Sequence, residues 1–164
     1  EAWEHLPEEL RDVPSVHFST WPTVEKGILD ENAEDKWAEF MAIRREVAKA
    51  LELARPEKAI GSSNDAGVTL YPDAELCQIL SQFDTPELEA LFIVSEVEIA
   101  DPQAAAPDGA WSGLDGRLRV LVRAPKGEKC VRCWRYSPFV GTAEEHPSLC
   151  QRCYEVVAEH VSAN

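Results

Sequence analysis

Hydrophobic and polar positions along the chain predict one long helix followed by shorter elements. From Trp37 to Ala54, apolar residues recur every three or four positions, which is the spacing of a single helix face. Arg44 interrupts this apolar face, so its side chain extends to solvent, pairs with an acid or contacts a ligand. A second helix is predicted at 74–83, and short apolar or alternating runs predict three strands, at 67–71, 91–99 and 117–123.

The remaining segments are two terminal helices and a linker. Apolar residues at helical spacing within 1–12 predict the end of an amphipathic helix, which stops before Pro14. Residues 101–116 are rich in proline, alanine and glycine, and we expect them to form a linker. Residues 154–161 predict a final helix.

Four of the five cysteines form two pairs. Cys130 and Cys133 frame one Cys-x-x-Cys motif, and Cys150 and Cys153 frame another after sixteen intervening residues. Each short turn presents two thiolates toward one tetrahedral ion, so the spacing is typical of a closed, structural zinc site. Two disulfides fit poorly with an odd number of cysteines and no recognisable secretory segment, and an iron site with the same ligands stays open. The fifth cysteine, Cys77, is expected to be a small buried hydrophobe.

These elements predict an α+β protein. We expect a small α/β unit of about three strands and helices, preceded by a long helix and followed by a C-terminal four-cysteine zinc ribbon. Three domains are predicted: residues 1–63 end a helical domain and include the long helix, residues 64–125 form the small α/β domain, and residues 126–164 form the zinc-binding module.

The composition is that of an ordinary globular protein. Of the 164 residues, 45% are hydrophobic and 28% are charged. No apolar run approaches the roughly 20 residues that cross a bilayer, so we expect a cytoplasmic monomer without membrane contact. The only methionine is Met41, and the sequence starts within a helix-like stretch, which indicates a piece of a longer protein.

Charge is distributed unevenly along the chain. Residues 1–116 carry 8 basic and 25 acidic side chains, a net −17, whereas residues 117–164 carry 8 and 5, a net +3. Seven of those basic residues lie within 117–135, beside a single acid, Glu128. A basic stretch that runs into a metal-binding turn is typical of a phosphate-binding surface. The alternative is a solvated strand face that happens to use arginine.

Aromatic and basic side chains crowd the first cysteine pair. Metal–thiolate bonds would hold them rigidly, which suits stacking on unpaired bases and contact with phosphates. The alternative, in which aromatic residues form the small core of the ribbon, stays open for Trp134 and is favoured for Tyr136. The candidate RNA-binding residues are Arg123, Lys129, Arg132, Trp134 and Arg135.

Residues typical of catalysis are not apparent in the sequence. It contains no glycine-rich phosphate loop and no convincing nucleophile–base pair. We therefore expect this chain to bind rather than to catalyse.

Several motifs together resemble a known family. Cys130-x-Arg-Cys-Trp with His146-Pro-x-Leu-Cys-x-Arg-Cys153 resembles the C-terminal zinc-binding module of bacterial isoleucyl-tRNA synthetases. Upstream motifs are similar to the segment that joins the anticodon-binding domain of that family to its tail: Ser15-Val-His-Phe, Trp21-Pro22, Ile43-Arg-x-x-Val-x-Lys-Ala-Leu-Glu-x-Ala-Arg55 and Lys58-x-Ile-Gly-x-Ser63. The resemblance covers 15–63 and 128–154, while 64–127 carry little signature.

The resemblance implies the non-catalytic tail of a ligase that attaches isoleucine to its tRNA. ATP and Mg²⁺ would act in a catalytic domain outside this chain, and residues 1–63 would end the anticodon-binding domain. The implied partners are the anticodon arm of the isoleucine tRNA and the rest of the same polypeptide. Arg132 and Trp134 match positions suited to anticodon-loop contact. One structural Zn²⁺ would be held by Cys130, Cys133, Cys150 and Cys153.

Two other classes of protein remain as alternatives. DNA glycosylases of the formamidopyrimidine type end in a zinc hairpin with the same cysteine spacing. They need an N-terminal proline and an arginine at the hairpin tip, whereas this chain begins Glu-Ala and its tip, 140–145, is acidic. A zinc ribbon that serves only protein–protein contact is the third possibility.

Overall fold

The computed structural model describes residues 2–23, 27, 31–56 and 60–162. They divide into two units, Glu1–Ala33 and Glu34–Asn164, and the predicted boundaries after 63 and 125 stay predictions. In the first unit the helix predicted over 1–12 is wrong, because Pro7 has no N–H to donate and separates two short turns. This unit contains 3₁₀ turns at Ala2–His5, Glu8–Leu10 and Val16–Phe18.

The long helix is confirmed, and α1 spans Glu31–Ala54. Its apolar face is buried, and the ring of Phe40 stacks on Phe92 with centroids 5.4 Å apart. Arg44 interrupts this face without an acidic partner among the described residues, and its Nε donates to the carbonyl of Leu91 at 2.9 Å. The α1 residues in the core are Phe40, Ile43, Val47, Ala50 and Leu51.

A four-stranded sheet lies against this helix, in the order β2-β1-β4-β3. The first two strands are parallel, and the other neighbours are antiparallel. The short β3 lies inside the segment predicted as a linker, which therefore contributes an edge strand. The predicted α+β class is confirmed. The strands are β1 (Gly67–Pro72), β2 (Glu96–Ile99), β3 (Trp111–Gly113) and β4 (Leu118–Arg123).

Two helices, not one, connect β1 to β2: α2 (Ala74–Leu80) and α3 (Thr85–Phe92). The first half of the strand predicted at 91–99 is wrong, because Leu91 and Phe92 end α3 and residues 93–95 connect that helix to β2. A capping box starts that helix: Asp84 accepts from the Glu87 N–H and Glu87 from the Asp84 N–H, both at 2.8 Å. This Asp-x-x-Glu signal, with a proline in the first turn, is readable in the sequence.

Alternation along the inner strands places apolar residues on one face and polar residues on the other. Thr69 and Arg123 lie on the second face, where the Arg123 Nε donates to the Thr69 hydroxyl at 3.1 Å. The buried residues of α1, α2 and α3 form one core with the apolar face. The strand residues of the core include Val68, Leu70, Leu118 and Val120.

The C-terminal module has its own small core. The module consists of a hairpin, β5 (Glu128–Lys129) with β6 (Tyr136–Ser137), and α4 (Gln151–Ser162). Gly127 enters the hairpin with φ +82°, and a Cβ there would collide with the Ser137 backbone. Leu149 and three cysteines are buried in a cluster that shares no residue with the main core. Among the described helices, none has both the length and the apolar character needed to cross a membrane.

Candidate zinc centre and its surroundings

The four paired cysteines converge on one point. Their Sγ atoms all lie within 4.8 Å of one another, and those of Cys133 and Cys150 are 3.6 Å apart. Tetrahedral zinc with Zn–S bonds of about 2.3 Å requires S–S separations of about 3.8 Å. None of the five cysteines is in a disulfide. The donor set therefore fits one tetrahedral zinc ion, and four thiolates would leave no position for a reacting water.

Local structure explains how the sulfurs meet. Cys130 directly follows β5 and Cys133 precedes β6, so the first pair spans the tip of the hairpin. Cys150 directly precedes α4 and Cys153 lies in its first turn. A metal at this point would tie the hairpin to the helix, a structural role.

Backbone N–H groups surround the sulfurs unequally. Burial raises the pKa of Cys150 to about 12 and also raises that of Cys133. At Cys130, burial is outweighed by backbone N–H groups, including those of Cys133 and Cys150, and the pKa falls to about 6. Nη1 of Arg132 lies 3.6 Å from the Cys153 sulfur. The backbone donors at Cys130 therefore stabilise its thiolate form, the form in which cysteine binds a metal.

Trp134 follows the first cysteine pair and is exposed rather than part of the module's core. Trp134 is 67% exposed, and its backbone N–H donates to the Cys130 carbonyl at 2.9 Å. Trp134 lines an open groove together with Val131, which is 63% exposed. Tyr136, in contrast, is half-buried, with the Lys129 ammonium 5.6 Å from its ring centre. The turn thus presents an apolar platform to solvent.

The backbone of Trp134 is in the left-handed region, with φ +64°. This conformation costs a bulky residue about 1–2 kcal/mol, and glycine adopts it most readily. The turn that joins the cysteines holds the strained residue in place. Backbone preference therefore does not explain why tryptophan, rather than glycine, occupies this position.

Three of the basic candidates are paired with acids inside the protein. Arg123 Nη1 lies 2.7 Å from Glu96 Oε2, and its Nη2 lies 3.3 Å from Glu98. The Lys129 ammonium lies 2.7 Å from Asp65. Arg135 likewise pairs with Glu89 at 2.7 Å. The acids come from the strongly negative first part of the chain, so the basic segment is largely neutralised.

Contacts from Lys129 and Arg135 also dock the zinc module onto the sheet unit, whereas those of Arg123 lie within the sheet. Arg135 also donates to the Val94 carbonyl at 2.9 Å, and the Tyr136 N–H donates to the buried Ser95 hydroxyl at 2.8 Å. Ser95 in turn donates to the Asn64 carbonyl. Sequence reasoning missed Ser95 and Glu89, and no local pattern marks either residue, because their partners lie some 40 residues away along the chain.

The Glu96–Arg123 pair predicts a pH-dependent stability. Hydrogen bonds from Arg123, with help from Lys126, outweigh burial and lower the pKa of Glu96 from 4.5 to about 2. A lowered pKa stabilises the fold above the unfolded value, and this contribution disappears as the pH falls from about 4.5 to about 2. We expect Glu96→Gln to lower the free energy of unfolding by about 1–2 kcal/mol at pH 7 in urea titrations, after allowance for solvent screening.

The difference between Glu96→Gln and the unaltered protein should shrink steadily below pH 4.5. Glu98→Gln is the matched control, because Glu98 faces the same arginine at 3.3 Å but has a side chain that is 58% exposed. A loss at Glu96 that stayed constant down to pH 2.5 would contradict the assigned pKa shift.

Comparisons with known proteins agree with this geometry. Residues 127–156 match the family described as a zinc finger found in FPG and IleRS. The chain is 40% identical over 162 residues to an isoleucine–tRNA ligase of Caldanaerobacter subterraneus subsp. tengcongensis, which covers 98% of this chain and 17% of that protein. Identity is 43% over 161 residues with the ligase of Moorella thermoacetica and 43% over 164 residues with that of Geobacillus kaustophilus, covering 97% and 99% of this chain and 17% of each relative. The chain thus spans about one sixth of the length of the curated relatives it matches.

Proposed function

Because this chain is homologous over nearly its whole length to one segment of the isoleucine–tRNA ligases, we propose that it is the zinc-stabilised, tRNA-contacting tail of such a ligase. The similarity extends far beyond the 127–156 zinc finger, which favours a ligase over a glycosylase of the formamidopyrimidine type. The observation that carries the RNA-binding role is the exposed indole of Trp134, which the cysteine turn presents from a strained, left-handed backbone.

Zinc in this tail would be structural. The four thiolates of the two cysteine pairs would hold Zn²⁺, and the ion would cross-link the hairpin to α4. Arg132 would remain beside the Cys153 sulfur and offset part of the negative charge of four thiolates. The Trp134 side chain would then face the solvent from a rigid turn.

Contact with the anticodon arm would fall mainly on Trp134 and Arg132. An unpaired base of the anticodon loop would stack on the indole, and such stacking is worth about 1–3 kcal/mol per base. Lys129, whose side chain is 44% exposed, would contact phosphate beside it. We assign docking of the module to Arg135 and ion pairing within the sheet to Arg123, because both side chains are only about one fifth exposed and are held by acids.

The ligase reaction itself would take place elsewhere in the polypeptide. The parent enzyme would attach isoleucine to its tRNA with ATP and Mg²⁺ in the cytoplasm, as a monomer, and this chain would support recognition without catalysing. Exposed apolar side chains in the first unit favour a contact with the rest of that polypeptide, since water is a poor environment for them. They include Leu10, Val16, Phe18 and Trp21.

A binding titration tests the proposal. We expect the zinc-loaded chain to bind an isoleucine-acceptor tRNA more tightly than a non-cognate tRNA in gel-shift assays. Because phosphate contacts release counterions, affinity should fall steeply as salt rises from 50 to 200 mM. Equal affinity for the two tRNAs, or no binding at low salt, would contradict the proposed role.

A further inference from the structure

A cleft near the C-terminal end of α1 is lined by none of the residues of the zinc module. It has a volume of about 150 Å³ and lies where α1 meets the end of α3 and the turn at Ser63–Asp65. Two arginines, a serine hydroxyl, an isoleucine and a glutamate are among the residues that line it: Arg44, Arg55, Ser63, Ile93 and Glu52.

The two arginines of the cleft differ from the arginines that are paired with acids. Arg44 donates Nε to the Leu91 carbonyl and Arg55 donates Nη2 to the Ser63 hydroxyl at 3.3 Å. Among the described residues, no acid lies within ion-pair distance of either guanidinium, whereas Arg117, Arg123 and Arg135 are all paired. Within the described part of a chain of net charge −14, these two cations are therefore free of ion pairs and can donate to an anionic ligand.

Ile93, which lines the cleft, has a left-handed backbone conformation. It caps α3 with φ +60° and ψ +46°, a left-handed conformation that is costly for a β-branched residue, and it is 51% exposed. Glycine is the usual residue at this position of a helix end. An exposed apolar side chain beside two guanidinium groups suits a ligand with both an anionic and an apolar part.

Side-chain contacts through the Ser63–Asp65 turn connect the cleft to the zinc module. Arg55 contacts Ser63 at one end of the short turn, and Lys129 contacts Asp65 at its other end at 2.7 Å. Lys129 in turn lines the open groove beside Trp134. A series of contacts, which includes the carboxylate of Asp65, therefore links the groove beside Trp134 to the end of α1.

We propose that Arg55, Arg44 and Ser63 form a phosphodiester-binding subsite that extends the RNA surface from Trp134 along Lys129 to the cleft. The proposal rests on the proposed tRNA-binding function and names a further part of the same surface. The guanidinium groups and the hydroxyl would donate to phosphate oxygens, while Ile93 would contact the sugar. Glu52, which also lines the cleft, would oppose binding.

The test is a tRNA titration of the full 164-residue, zinc-loaded chain across salt concentrations. We expect Arg55→Gln to weaken binding of an isoleucine-acceptor tRNA about three- to tenfold and to reduce the slope of log affinity against log salt by about 0.7–0.9. Arg55→Lys should retain most of the affinity, and Glu52→Gln should increase it. Arg117→Gln is the matched control, because it removes the same charge at the opposite end of β4 from the zinc module.

The outcomes separate this inference from the proposed function. If Trp134→Ala weakens binding but Arg55→Gln behaves like Arg117→Gln, the cleft is not a phosphate site, while the tRNA-binding tail stands. A chain that binds no tRNA would overturn both. Thermal unfolding of each variant checks its fold, and a lower melting temperature for Arg55→Gln with an unchanged salt slope would also count against the subsite.

Discussion

Removal of zinc is expected to unfold the C-terminal module while the four-stranded sheet unit stays folded. The module's core consists of Leu149 and metal-binding cysteines, so without the ion little apolar burial remains to hold it. Structural zinc contributes on the order of 10–16 kcal/mol in small zinc peptides. The main core contains no residue of the module, which explains why it should survive.

Hydrogen exchange with and without a chelator measures this effect. Amides between about 128 and 158 should lose their protection, whereas those of β1 and β4 should keep it. Cys153→Ser should reproduce the effect in zinc-replete buffer, and bound zinc should fall from one equivalent to nearly none. Cys77→Ser is the matched control, because Cys77 lies in α2 outside the metal cluster. Protection that is unaffected by both chelator and Cys153→Ser would contradict the structural role of the metal.

Loss of the Trp134 indole is expected to weaken tRNA binding without unfolding the module. Trp134→Ala removes an exposed side chain, so we expect a loss of about 1–3 kcal/mol in binding free energy, or roughly five- to 150-fold in affinity. Trp134→Gly should lose the same affinity. It should also raise the stability of the module by about 1 kcal/mol, because glycine adopts a positive φ without steric strain. Binding and stability would then change in opposite directions.

Gel-shift titrations and thermal unfolding of the two variants provide the measurements. Trp21→Ala is a control for the loss of an exposed indole, since Trp21 is 94% exposed and lies in the first unit. In the complete ligase, isoleucine-dependent ATP–pyrophosphate exchange should be unchanged by Trp134→Ala. An equal loss in exchange and in tRNA binding would indicate misfolding rather than a lost base contact.

Patterns over short distances predicted much of the fold. The apolar period from Trp37 to Ala54 predicted α1, and alternation predicted β4, because both depend on which side of a local element faces the core. The Asp84-x-x-Glu87 capping box also carried a local signal, and overlooking it led to a strand being predicted where α3 ends. The edge strand β3 lacked such a signal, since three residues are too few to show a period.

In the candidate site, too, local spacing predicted some features, and others became visible only in the folded structure. Spacing alone identified the four cysteines, because two residues between ligands is a property of a tight turn. Which cations are available to a ligand was not readable from the sequence. Arg123 meets an acid 27 residues away, Arg135 one 46 residues away and Lys129 one 64 residues away. Pairings of this kind exist only once the chain has folded.

By itself, the sequence determined the zinc-ligand set, the long helix, the α+β class and the kinship with isoleucine–tRNA ligases. Only the tertiary structure decided that the basic segment is largely neutralised, that Trp134 is exposed with a strained backbone, and that Arg44 and Arg55 share a cleft. The physical reason is range: turn geometry and helical period act over a few residues, whereas charge pairing, burial and backbone strain depend on contacts between segments far apart in the chain.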